Sequence, residues 1–160
     1  MQMDNVIEIR APLERVFQLG AFVERWPEFL PHYRYVRLLE DGVTTQGRRR
    51  VVEMGASRDG IPVSWTSIQE HRPAENRILF RHIKGATKGM DVEWRLEQRG
   101  DLVHVTIHHD FSPSWPLIAG WGARFVGGFF VDPIANKTLR CIRDRAEREN
   151  SGQWSVVSGQ

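Results

Sequence analysis

A single cysteine, Cys141, stands in a chain of 160 residues, which excludes an internal disulfide and leaves no set of thiolates for a structural zinc. Packing has to hold this fold. No apolar run approaches the ~20 residues that cross a bilayer, and Met1 to Arg10 lacks the basic and then apolar layout of a signal peptide, so the expectation is a cytoplasmic protein with no membrane span. Charge of one sign is also scarce: Lys and Arg exceed Asp and Glu by only +2. The arginines are scattered along candidate strands and the last helix rather than gathered with aromatics, which argues against nucleic acid as a partner. There is no Gly-rich phosphate loop, nucleophile elbow or pair of carboxylates on an apolar face, and no cofactor is implied.

What is present is ordinary globular material, 41% hydrophobic and 26% charged, at a length suited to one domain. Residues 1–150 read as that domain and 151–160 as a flexible tail, in which Trp154 has no evident role. Met3 to Arg10 reads as a strand. Ala11-Pro12 then opens a helix carrying Leu13, Val16, Phe17 and Phe22. Glu24-Arg25-Trp26-Pro27-Glu28-Phe29-Leu30-Pro31 is a second, short helix, because Pro27 suits a first turn and Pro31 forces Leu30 out of helical geometry. Six further strands follow at Tyr33 to Leu39, Arg48 to Met54, Ile61 to Gln69, Arg77 to Lys84, Met90 to Gln98 and Leu102 to Phe111. Their separators are Asp41-Gly42, Asp59-Gly60, Arg72-Pro73, Gly85 with Gly89, and Arg99-Gly100-Asp101. Short connections of this kind predict an antiparallel meander.

From Pro116 the period changes to that of a helix, through Ile118, Trp121, Phe125, Phe129, Leu139 and Ile142, with a kink or restart predicted at Asp132-Pro133. Gly120, Gly122, Gly127 and Gly128 each cost a helix roughly 1 kcal/mol against alanine. Four of them near one bend imply room between this helix and the sheet, and hence a cavity.

This order of elements resembles the START/Bet v 1-like helix-grip superfamily, and within it the polyketide cyclase/dehydrase family of the tetracenomycin aromatase/cyclase type, together with coenzyme Q-binding START proteins. Arg25 to Glu28, Tyr33, Trp65, and the Met90–Trp94 pair carry the resemblance. It implies an α+β fold, a curved antiparallel sheet of about seven strands wrapped around a long C-terminal helix, with two short N-terminal helices and an internal cavity. It also implies that a hydrophobic or aromatic small molecule, such as a lipid, quinone or polyketide, is bound in that cavity. The alternative is an aromatase that positions a poly-β-ketone chain for cyclisation and water loss, with an acyl carrier protein as its partner. One departure bears on that alternative. The cyclases carry a pocket arginine four residues after the strand tryptophan, where this chain has Gln69, and an amide supplies no fixed positive charge to a developing enolate.

The residues themselves bear on the same site. Period-2 geometry puts Met90, Val92, Trp94 and Leu96 on one face, and Val63, Trp65, Ser67 and Gln69 on another. The candidate ligand-binding set is therefore Trp26, Tyr33, Trp65, Ser67, Gln69, Phe80, His82, Met90, Trp94, Trp121 and Phe125. Tyr33 and His109 are the catalytic candidates if the protein is an enzyme; for His109 and His82 a satisfied core histidine is the competing reading. Tyr35 shares a strand face with Tyr33 on simple alternation. His104, His108 and His109 do not converge on a metal, since four residues along a strand span roughly 13 Å and adjacent side chains oppose. Arg48-Arg49-Arg50 reads as a solvated strand edge. An interaction module that binds a protein partner remains a third reading.

Overall fold

The computed structural model describes residues 2–111 and 126–158, with side chains as far as Gly152. Seven antiparallel strands make one sheet in the order β1-β7-β6-β5-β4-β3-β2. They are β1 Gln2–Ile9, β2 Tyr33–Thr44, β3 Gly47–Arg58, β4 Ile61–Arg72, β5 Arg77–Gly85, β6 Met90–Arg99 and β7 Leu102–Phe111. Because β1 and β2 lie at opposite edges, the segment between them must carry the chain across the sheet. It does so as α1 (Leu13–Ala21), a 3-10 turn (Val23–Arg25) and α2 (Trp26–Phe29).

The local chemistry of these elements is that of the sequence. Pro12 caps α1 in extended geometry, and its carbonyl accepts from the Arg15 and Val16 amides. Pro27 stands in the first turn of α2, and Leu30 leaves it in extended conformation. Asp59 and Gly60, with φ of 49° and 79°, form the two-residue turn between β3 and β4, the double left-handed form that matches strand twist. A π-helical turn at Gly127–Val131 runs into the long helix α3, Asp132–Ser158, so the predicted interruption at Asp132-Pro133 is a change of helical pitch. The helix is continuous past Asn150. Leu139, Ile142 and Ala146 press it into the sheet, and Asn5 on β1 donates to Asp132 and Asn136 at its start, at 2.8 and 3.0 Å. This is the helix-grip architecture.

Three expectations need correcting. Asp41-Gly42 is not a turn: β2 runs on to Thr44 and the chain reverses at Thr45-Gln46. Asp41 is held extended by Arg48 and Arg50 on the paired strand, at 3.3 and 3.9 Å. Tyr35 does not share a face with Tyr33, because a bulge separates them in the β2–β3 register. Tyr33 turns inward, while the Tyr35 ring covers Gly55, where a Cβ would lie 2.3 Å from it. The arginine run is not wholly solvated: Arg50 is 1% exposed, since it shares a face with Val52 and Met54. Pro116, Ile118, Gly120, Trp121, Gly122 and Phe125 lie outside the described residues.

Candidate functional site

The inward face of the sheet and the start of α3 line a cavity of about 80 Å³. Strand alternation aims Trp65, Phe80, His82, Met90, Trp94 and His109 into it from four neighbouring strands, while Trp26 and Tyr33 close it from the α2 side. Eight of the residues singled out in the sequence therefore meet at one place. Trp121 and Phe125 lie outside the described residues. Ser67 and Gln69 share the correct face but do not line the cavity; both are fully buried, and the Gln69 Nε2 donates to the Ala21 carbonyl at 2.8 Å.

Lining residues that were not anticipated include Thr87 and, on the helical side, Phe130, Val131, Ile134, Ala135 and Thr138. The signal for the helical ones was the spacing of Val131, Ile134, Ala135 and Thr138, one stripe of a helix. Nothing local marked Thr87, which sits between Gly85 and Gly89.

The aromatic wall is ordered by its own contacts. Trp26 donates its indole N–H to the Leu19 carbonyl at 2.8 Å and lies 5.9 Å from Trp94. Its ring also meets Tyr33 edge-on at 4.9 Å. Gly20 permits this arrangement, because a Cβ there would stand 3.0 Å from the Trp94 ring. Trp65 stacks on His82 at 5.7 Å with 10° between the planes.

The polar groups are all neutral near pH 7. Burial pushes His82 down to about 3, with the neighbouring His109 acting in the same direction. It also pushes His109 down to about 4, against an upward pull from the Met3 backbone and from Asp132 and Asp4. Burial raises the Tyr33 phenol well above its ordinary value, and Thr138 partly offsets this. The His82 Nδ1 is engaged by the Thr87 hydroxyl. By contrast, the His109 Nδ1 has no hydrogen-bond partner among the described residues, so it can accept from or donate to a bound molecule.

Behind Tyr33, the Thr138 hydroxyl donates to the Ile134 carbonyl at 2.7 Å and meets the His32 Nε2 at 2.8 Å. His104 and His108 lie on the other side of β7, facing Glu8 and Asp4. Among the described residues no group of three His, Cys, Asp or Glu could hold a metal ion. Nor is any helix there long and apolar enough to cross a membrane.

A family model described as polyketide cyclase/dehydrase and lipid transport matches residues 9–143. The actinorhodin polyketide synthase bifunctional cyclase/dehydratase of Streptomyces coelicolor is 29% identical over 110 residues, 68% of this chain and 34% of that protein. The chain thus spans about a third of the length of that relative. The Zhui aromatase/cyclase from Streptomyces sp. R1128 superposes with a TM-score of 0.78 at 21% identity, over 92% of this chain and 94% of its own. The ginseng major latex-like protein 151 from Panax ginseng superposes with a TM-score of 0.73 at 15% identity, over 91% and 97%. At these identities the structural likeness establishes the fold, and function has to be argued from the site.

Proposed function

From the premise that this chain belongs to the polyketide cyclase/dehydrase and lipid transport family, we propose that it binds a hydrophobic or aromatic small molecule in the cavity under α3. The ligand class is a lipid, a quinone or a polyketide, and the setting is the cytoplasm. The observation that carries this reading is the convergence of Trp26, Trp65 and Trp94 with three neutral polar side chains, Tyr33, His82 and His109, on one cavity. Apolar walls with a few placed polar groups are the general form of a small-molecule site. Drug-sized ligands occupy roughly 300–1,000 Å³, far above the present volume, so ligand entry must move residues such as Phe130 and Val131 at the π-helical turn.

A second reading follows from the actinorhodin relative: cyclisation of a poly-β-ketone delivered by an acyl carrier protein, followed by loss of water. Tyr33 would donate to a carbonyl and His109 would take up a proton. Shape would do most of this work, by holding the reacting carbons together. A histidine held near 4 is a weak base at neutral pH, well away from the value best suited to proton transfer. The chemistry of the groups therefore favours binding and orientation over acid–base catalysis.

Native mass spectrometry of the purified protein, followed by solvent extraction, tests the first reading by finding a bound lipid, quinone or aromatic. Titration with N-phenyl-1-naphthylamine complements it. Trp65→Ala and Trp94→Ala should each weaken probe binding about tenfold. Unchanged binding in both variants would overturn the assignment of the cavity.

A further inference from the structure

The two edges of the sheet are finished differently. β1 is tied to the start of α3 through Asn5. β2, at the other edge, runs for 12 residues, and from Arg37 to Thr44 every one of them is exposed. Leu38, Leu39 and Val43 are 41%, 54% and 83% exposed. Beyond β2 no further strand is paired among the described residues, so its outer edge presents open backbone N–H and C=O groups. Such an edge is a template for another strand unless something covers it.

The exposed segment is complementary to itself. Set antiparallel against a second copy, Arg37-Leu38-Leu39-Glu40 brings leucine beside leucine and Arg37 opposite Glu40 at both ends. On a regular strand residues three apart point to opposite faces, which would separate this pair. The bulge at Leu39 brings them together: Arg37 stands opposite Glu53 and Glu40 opposite Val51. Those partners are two positions apart on β3, so Arg37 and Glu40 project from the same, outer face. Leu38 and Val43, opposite Val52 and Arg48, project from the inner face. Arg37 bonds Glu53 at 2.9 Å in an exposed pair, and its five-donor guanidinium can meet a second carboxylate as well.

We propose that the β2 edge docks a second copy of this chain, the two β2 strands running antiparallel about a two-fold axis at Leu38-Leu39, so that the two sheets become one. A two-fold interface uses the same patch from both partners, and a segment whose charge reverses about its centre suits that symmetry. Parallel pairing in register would instead set Arg37 on Arg37 and Glu40 on Glu40. Backbone hydrogen bonds along the joined edges supply the attraction, and the side chains fix the register. Tyr33, at the start of β2, lines the cavity, so the arrangement puts one cavity at each end of the interface. One strand from each copy makes a small contact, of the weak and transient class. Pairing is therefore concentration-dependent.

Sedimentation velocity of the full chain, from low to high micromolar concentration, tests the pairing. The parent should pass from monomer to dimer as concentration rises. Arg37→Glu and Glu40→Arg each set like charges against each other at both ends of the paired segment, and each should weaken the dimer about tenfold. Mixing the two variants should restore it, because two acids then face two arginines, and Arg37→Glu/Glu40→Arg in one chain should dimerise as the parent does. Circular dichroism checks that each variant folds; if one single variant does not, the other and the double variant decide the matter. A monomer at every concentration overturns the proposal. So does a dimer that neither single variant weakens, since the copies would then meet elsewhere, and so does a loss that neither the mixture nor the double variant recovers.

Discussion

His71 and His109 lie on the same inner face of the sheet, both are sealed from solvent, and burial pushes each down to about 4. Their surroundings differ. The His71 Nε2 lies 3.1 Å from the Ala21 carbonyl, and its ring meets Phe17 and Phe22 edge-on at 6.4 and 5.7 Å. It bolts α1 to β4. His109 lines the cavity and leaves its Nδ1 unmatched among the described residues. A depressed histidine therefore reports burial in both places, and only the direction of its nitrogens separates a structural role from a binding role.

Trp94 belongs to both regions and should show the largest effect. It packs on Gly20 and Trp26 on the structural side while lining the cavity on the other. Trp94→Ala should lower unfolding stability by about 3–5 kcal/mol, measured by urea denaturation. A loss under about 1 kcal/mol would mean that the two regions are not mechanically joined.

The two histidines should then separate from each other. His71→Ala removes the bond to Ala21 and should cost about 1–3 kcal/mol at pH 7. His109→Leu removes an unmatched polar atom and should stay within about 1 kcal/mol of the parent, while changing probe binding. Acid should not distinguish them. Their folded values lie below the ordinary 6.5, so the unfolded chain takes up protons first. Their stabilising contribution is complete above about 6.5 and is lost as pH falls through about 4. Each should add about 1.4 kcal/mol per pH unit to the slope of stability in that window, and either substitution should remove one such share. Equal costs at pH 7 would break the comparison.

The difference between the regions is also the difference between what was legible in the sequence and what was not. Alternation on β6 placed Met90 and Trp94 on the inner face because an uninterrupted strand preserves period 2. It failed at Tyr35, where a bulge resets the face. It could have placed Arg50, which shares parity with Val52 and Met54, but a run of three arginines reads as solvated when residue type is weighed above position. Gln69 was placed on the correct face with the wrong neighbour. Its anchor, the Ala21 carbonyl, lies 48 residues away in sequence, and no local pattern records it. The cavity was legible as a need for space, whereas its helical wall from Phe130 to Thr138 depended on how the π-helical turn sets the pitch of α3.

The smallest effect should come from the outer face, where the same kind of ion pair does little. Arg81 bonds Asp91 at 2.9 Å with side chains 69% and 48% exposed, in contrast to Arg50 at 1%. Water already solvates both partners of the exposed pair, so Arg81→Ala should change stability by less than about 1 kcal/mol, and by less still in high salt. In the Arg50–Glu24 pair only the arginine is buried, at 1% against 36% for Glu24, so removing Arg50 leaves Glu24 to water and costs the packing and charge of a group sealed on the inner face. Thermal melts of Arg81→Ala and Arg50→Met at two salt concentrations would separate the cases. A loss at Arg81 as large as that at Arg50 would mean that charge pairing across the strands, rather than burial on the inner face, sets the stability of this sheet.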